Sequence, residues 1–159
     1  MTDIPREEHP RPDMRRADEW WQNLNGTWQF EIDRADSGEA RGYASGLELA
    51  REILVPFCPE SKLSGIEDRD FLNAVWYRRT IEVPAAWADR RVLLHIGACD
   101  NETTVWLNGE QVGYHTGGYT PVTAELTDAL RRDGCDELVI RARDDGRDPG
   151  QPAGKQSAR

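Results

Sequence analysis

Short runs in which apolar and polar residues alternate, separated by glycine and proline, mark most of this chain and predict strands rather than helices. In Ala74 to Pro84, Val75, Tyr77, Arg79 and Ile81 alternate with Trp76, Arg78 and Thr80. Large groups on both sides predict a strand covered on two faces. Leu24 to Asp33 sets Trp28 and Phe30 two residues apart on one strand face, an inward-facing pair. Ile53 to Val55 is a short apolar strand that Pro56 and Pro59 must end or bulge, because proline donates no ladder hydrogen bond. Ala85 to Arg91 is too short for a stable helix of its own. Thr127 is placed to cap a helical turn over Asp128 to Arg132, and Asp133-Gly134 then turns the chain into a strand from Glu137 to Arg143.

The centre of the pattern is Val92 to Pro121, around the dipeptide Asn108-Gly109. Both central residues of a type I′ turn need positive φ, which Asn and Gly tolerate best, so a two-residue hairpin is expected here. That register pairs Leu107 with Glu110 and Val105 with Val112, putting Thr103, Val105, Leu107, Val112 and Tyr114 on one face and Trp106 and Gln111 on the other. Val92 to Ile96 is apolar on both sides, as a strand covered on both faces would be. Gly117-Gly118 and Pro121 mark a loop. Asp36 to Leu49 shows no alternation and reads as a variable loop, where a Gly38 substitution should matter far less than one at Gly109. Short strands with turn signals between them predict an all-β antiparallel sandwich.

Composition narrows the function classes. At 159 residues the chain suits one domain, which should bury about 70% of its unfolded surface. Its 20 basic and 29 acidic residues give a net charge of −9, which argues against nucleic acid or an anionic membrane as partner. No segment is long and apolar enough to span a bilayer, and no secretory signal precedes the first strand. Cys58, Cys99 and Cys135 are odd in number and far apart, which fits a reducing, cytoplasmic setting better than a disulfide framework. In that setting the glycosylation acceptor patterns at Asn25 and Asn101 are coincidences. His9, His95 and His115 lack acidic or cysteine partners at ligand spacing, so neither a metal nor another cofactor is expected. His95, mid-strand, is expected to be a packed or bonded histidine. Trp20-Trp21 could stack on sugar, but at the start of the first strand they are expected to seal the sandwich edge.

The order VWLNGEQVGYHTGGYTP, with HPRPDMRR, LNGTWQFEID and VPFCPESKLSGI before it, resembles the N-terminal sugar-binding domain of glycoside hydrolase family 2, the β-galactosidase and β-glucuronidase family. The resemblance runs from about His9 to Gln156. It implies a jelly-roll, galactose-binding-like β-sandwich over 19–143, an arm over 1–18 lying along it, and a loop or tail over 144–159. It also implies the domain's own N-terminus at the start, and further strands after Gln156 that this sequence does not contain.

Family members hydrolyse β-glycosides with two carboxylates held in a barrel C-terminal to this domain, so no catalytic residue is expected here. Asn101-Glu102 matches the Asn-Glu of the family's acid/base, but it falls in the turn before the Thr103 strand and is expected to be an exposed turn residue. In related β-galactosidases this domain lends an Asn and an Asp from two loops beside the barrel mouth. The nearest positions are Asp70 and Asn73 in one loop and Asp145 and Asp148 in the other. Such side chains offer paired acceptors and donors to sugar hydroxyls, and equally serve as turn formers. The resemblance thus implies a non-catalytic sugar-binding domain that supports the barrel, with carbohydrate as partner. A free-standing carbohydrate-binding module and a structural remnant are the alternatives. Missing strands would leave an unpaired sheet edge, so self-association is expected.

Overall fold

A computed structural model describes residues 4–5, 20–146, 148 and 150–151. The expected arm, apart from Ile4 and Pro5, and the tail over 152–159 lie outside the described residues, His9 among them. Eight strands run in chain order: β1 (Gly26–Ile32), β2 (Arg51–Val55), β3 (Ala74–Ile81), β4 (Leu93–Ile96), β5 (Glu102–Leu107), β6 (Glu110–Thr116), β7 (Val122–Glu125) and β8 (Asp136–Arg143). They form a six-stranded sheet of order β2-β1-β3-β8-β5-β6 and a two-stranded sheet β4-β7, with every pairing antiparallel. The protein is an all-β sandwich.

The alternation of β3 does what its pattern requires. Val75, Tyr77 and Ile81 face the inner core with Trp28, Phe30 and Ile53 from β1 and β2, Val105 and Leu107 from β5, and Leu138 and Ile140 from β8. Leu94, Ala124 and Leu126 close that core from the two-stranded sheet and its flank. Trp28 and Phe30 are both buried, as an inward pair. Trp20 and Trp21 are half-buried, with the Arg90 guanidinium 3.5 Å from the Trp20 ring centre, which fits a role in sealing the edge.

On the outer face, Trp76, Trp106 and Val139 form a second buried cluster with Tyr43, Ala44 and Leu49. The segment 36–49 is therefore a cover for the outer face of the large sheet, not the variable loop expected. It is pinned by Gln29 Oε1, which accepts from the Leu49 amide at 3.3 Å, and by Glu31 Oε2, which accepts from the Ala50 amide at 3.3 Å. Gly38 lies inside this cover. A Cβ there would stand 2.5 Å from Trp76 Nε1 and 2.5 Å from Tyr43 Cδ2. A side chain at Gly38 would thus collide with the cluster, against the expectation that the position is tolerant.

The hairpin turns at Asn108 and Gly109 with φ of +54° and +84°, as a type I′ turn demands. Leu107 pairs with Glu110 as expected, but the register then shifts, and Val105 opposes Gly113 instead of Val112. The extra residue is a β-bulge, and it moves Tyr114 opposite Thr104, onto the face away from Val105. Packing explains the shift, because a Cβ at position 113 would lie 2.8 Å from Ala124 Cβ. Only glycine lets β6 pass that close over β7.

Two smaller expectations are also corrected. β4 is covered on one face only, since Leu94 is buried while Leu93 and His95 are exposed on a sheet just two strands wide. His95 is a bonded histidine, in line with its expectation, its Nδ1 lying 3.2 Å from Thr123 Oγ1. Thr127 caps no helix. Its hydroxyl accepts the Val92 amide at 3.0 Å, and the 3-10 turn Thr127–Ala129 has no side-chain cap.

Candidate functional site

Ala74 begins β3, and its antiparallel partner Arg143 ends β8. The loop before β3 and the loop after β8 must therefore leave the sandwich side by side. They touch directly, with the Asp144 amide donating to the Asn73 carbonyl at 2.9 Å. Gly146 packs so closely on Phe71 that a Cβ there would lie 3.2 Å from the ring. Asp70, Asn73, Asp145 and Asp148 thus sit on two adjoining loops at one end of the molecule.

Arg34, at the end of β1, organises the first loop. Its guanidinium donates to Asp68 Oδ2 at 2.9 Å, Asp70 Oδ2 at 3.0 Å and the Phe71 carbonyl at 3.0 Å. Its own carbonyl accepts from Asn73 Nδ2 at 3.0 Å. Asp70 and Asn73, both exposed, are therefore held by one residue that the sequence pattern did not single out. Arg34 follows the last inward position of β1 and carries no periodic signal. The only hint was the acid-rich stretch Glu67 to Asp70 awaiting a cation.

The second loop is a pair of tight turns. The Asp148 amide donates to the Asp145 carbonyl at 2.8 Å, and Asp148 Oδ1 accepts from the Gly150 amide at 2.8 Å. The Asp145 amide donates to Gln151 Oε1 at 3.2 Å. Asp148 acts here as a turn former, and Asp145 is half-buried.

Between the loops the charge is negative. Burial raises the Asp144 carboxyl above its ordinary range, and the nearby carboxylates of Asp100, Asp145 and Glu60 raise it further. Asp144 comes with the loop that holds Asp145, and Asp100 joins the site through the fold. Arg143 partly balances this end, donating to Asp36 Oδ2 at 2.6 Å and Glu102 Oε2 at 3.1 Å. Glu102 is thus a half-buried strand residue bound to an arginine, not the exposed turn residue expected. Among the described residues, no group of three or more His, Cys, Asp or Glu is placed to hold a metal ion. No helix among them is long and apolar enough to cross a membrane.

An antiparallel sandwich with polar loops gathered at one end is a fold class that hosts many functions. Residues 21–142 match the family "Glycosyl hydrolases family 2, sugar binding domain", and the chain belongs to that family. A β-glucuronidase of Paenibacillus borealis is 32% identical over 107 residues, covering 67% of this chain and 18% of that protein. The solved Lactobacillus rhamnosus β-glucuronidase superposes with a TM-score of 0.70 at 27% identity, over 77% of this chain and 21% of its own. The β-glucuronidase from Ruminococcus gnavus in complex with D-glucaro-d-lactam gives a TM-score of 0.69 at 26% identity, with 77% and 21% covered. The chain therefore spans about a fifth of the length of the proteins it resembles.

Proposed function

We propose that this chain is the non-catalytic sugar-binding module of a β-glucuronidase-like glycoside hydrolase, supporting a catalytic domain and shaping its substrate entrance. The observation that carries the reading is the convergence of the 67–73 and 144–151 loops at one end of the sandwich, joined through Asp144 and Asn73. Asp70, Asn73, Asp145 and Asp148 are the residues that would meet sugar hydroxyls, as acceptors and, for Asn73, as a donor. Retaining hydrolysis needs two carboxylates about 5–5.5 Å apart across the scissile bond. Glu102, the one match to the family's acid/base dipeptide, is instead committed to Arg143.

A free-standing binding module would present coplanar aromatic rings on one face. The ring pairs Phe30–Tyr77, Tyr43–Trp76 and Trp76–Trp106 all lie within the cores. The exposed rings Phe71, Tyr114 and Tyr119 sit on separate segments. That favours the enzyme-module reading. A cytoplasmic setting belongs to the same proposal, since Cys58, Cys99 and Cys135 are all free. So does self-association through β4, whose outer edge pairs with no strand among the described residues and whose Leu93 is exposed.

The test is a chimera in which residues 20–146 replace the corresponding domain of the Lactobacillus rhamnosus enzyme. The reading expects turnover of a β-glucuronide well above that of the enzyme with the domain deleted, and a raised KM when Asn73→Ala is introduced. A chimera no better than the deletion would overturn it.

A further inference from the structure

A cleft of about 290 Å³ opens beside the end of β1, lined by Asp33, Arg34, Ser37, Arg41, Arg51 and Asp68 among others. Three guanidiniums around one cleft stand out on a chain of net charge −9. Their charges are unequally balanced. Arg34 is engaged by Asp68 and Asp70. Arg41 lies over the Tyr43 ring, 4.7 Å from its centre, and Arg51 projects from the first residue of β2. Neither Arg41 nor Arg51 forms an ion pair among the described residues. Asp33, a carboxylate that lines the cleft, is already occupied by the Ser37 and Gly38 amides and by Trp76 Nε1.

We infer that this cleft binds a sugar acid, with Arg41 and Arg51 taking its carboxylate and Ser37 and Asp68 meeting its hydroxyls. The chemistry follows from the donors. A guanidinium offers a planar fork matched to a carboxylate, and it gains most where no protein acid already fills it. Asp68 accepts from Arg34 on Oδ2 and from the Asp70 amide on Oδ1, and each oxygen keeps a further lone pair, which suits hydroxyl donors and disfavours a bare anion. The volume lies at the lower limit of small-molecule pockets, roughly 300 Å³, which suits one pyranose ring rather than an oligosaccharide. The inference rests on the sugar-binding reading and adds a charge class and a place. The cleft is lined from the 32–51 segment and by Asp68, next to the loop that holds Asp70 and Asn73.

The test is a titration of the isotope-labelled full chain with D-glucuronate, D-glucose and acetate at constant ionic strength, followed at the Ala35 and Ser37 amides. Glucuronate should give saturable shifts larger than either control. Arg41→Gln combined with Arg51→Gln should abolish them, and Arg51→Lys, which keeps charge but not the fork, should weaken them. Arg131→Gln, an exposed arginine at the other end of β8, should leave them intact. An equal response to glucose, an equal response to acetate, or a double variant that still responds would each overturn the inference. The chimera experiment does not depend on these arginines, so the two readings can fail separately.

Discussion

Trp76 Nε1 donates to Asp33 Oδ2 at 3.1 Å, joining the buried indole of the outer cluster to the residue that follows β1. Asp33 is 2% exposed and also accepts the Ser37 amide at 3.0 Å and the Gly38 amide at 2.6 Å. One carboxylate thus folds the start of the 36–49 cover back onto the sheet.

The bond predicts a pH-dependent stability. Burial works against the Asp33 anion, but the bonds from Ser37, Gly38 and Trp76 outweigh it and hold the carboxyl below its ordinary 3.8. A lowered folded value means the contribution is complete above 3.8 and fades as the pH falls through the lower folded value. Asp33→Asn turns a donor toward amides that already donate, and should cost about 1–3 kcal/mol at neutral pH. Denaturant melts of both proteins should show that gap narrowing in acid. A gap that widens as the pH falls would contradict the sign.

Gly38 and Gly109 should prove comparably intolerant, for different reasons. Gly109→Val forces a β-branched residue to positive φ, costing roughly 1–3 kcal/mol. Gly38→Val drives a side chain into Trp76 and Tyr43, an overpacking cost of about 1–3 kcal/mol. Denaturation midpoints measure both, and a neutral Gly38→Val would mean the 36–49 cover does not pack on the outer sheet.

Asp144 works in the opposite sense from Asp33. Its carboxyl is raised by burial and by its acidic neighbours, so its charged form opposes folding at neutral pH. The penalty is present above the raised folded value and absent below the ordinary 3.8. Asp144→Asn should therefore raise the melting temperature at neutral pH and leave it unchanged in strong acid. Stabilisation confined to acid would overturn this account of the loop end.

What the sequence made legible was local. The alternation of Val75, Tyr77 and Ile81 against Trp76 named both faces of β3, and Asn108-Gly109 named the turn between β5 and β6. The bulge was hidden because Val112 suits an inward position as well as an outward one, and only the closeness of Ala124 to Gly113 decides. The 36–49 cover was hidden because Tyr43, Ala44 and Leu49 have no common period, their burial coming from Trp76 and Trp106 far along the chain. Asp70, Asn73, Asp145 and Asp148 were found through family resemblance. Arg34, which holds two of them, needed the fold.

The open edge of β4 predicts association. Light scattering over a concentration series should show a dimer or larger species, because a strand edge without a partner among the described residues, beside exposed Leu93, offers backbone groups and apolar surface together. Leu93→Lys places a charge on that edge and should return the monomer. A monomer at every concentration would mean the two-stranded sheet needs no neighbour.

The central claim is that this domain serves sugar recognition without catalysis, and hydrolysis by the purified chain tests it most directly. Incubated with 4-nitrophenyl β-glucuronide, β-galactoside and β-mannoside, the chain should release nitrophenol no faster than buffer. Turnover that disappears with Glu102→Gln would contradict the account, because it would make a catalyst of the carboxylate bound by Arg143.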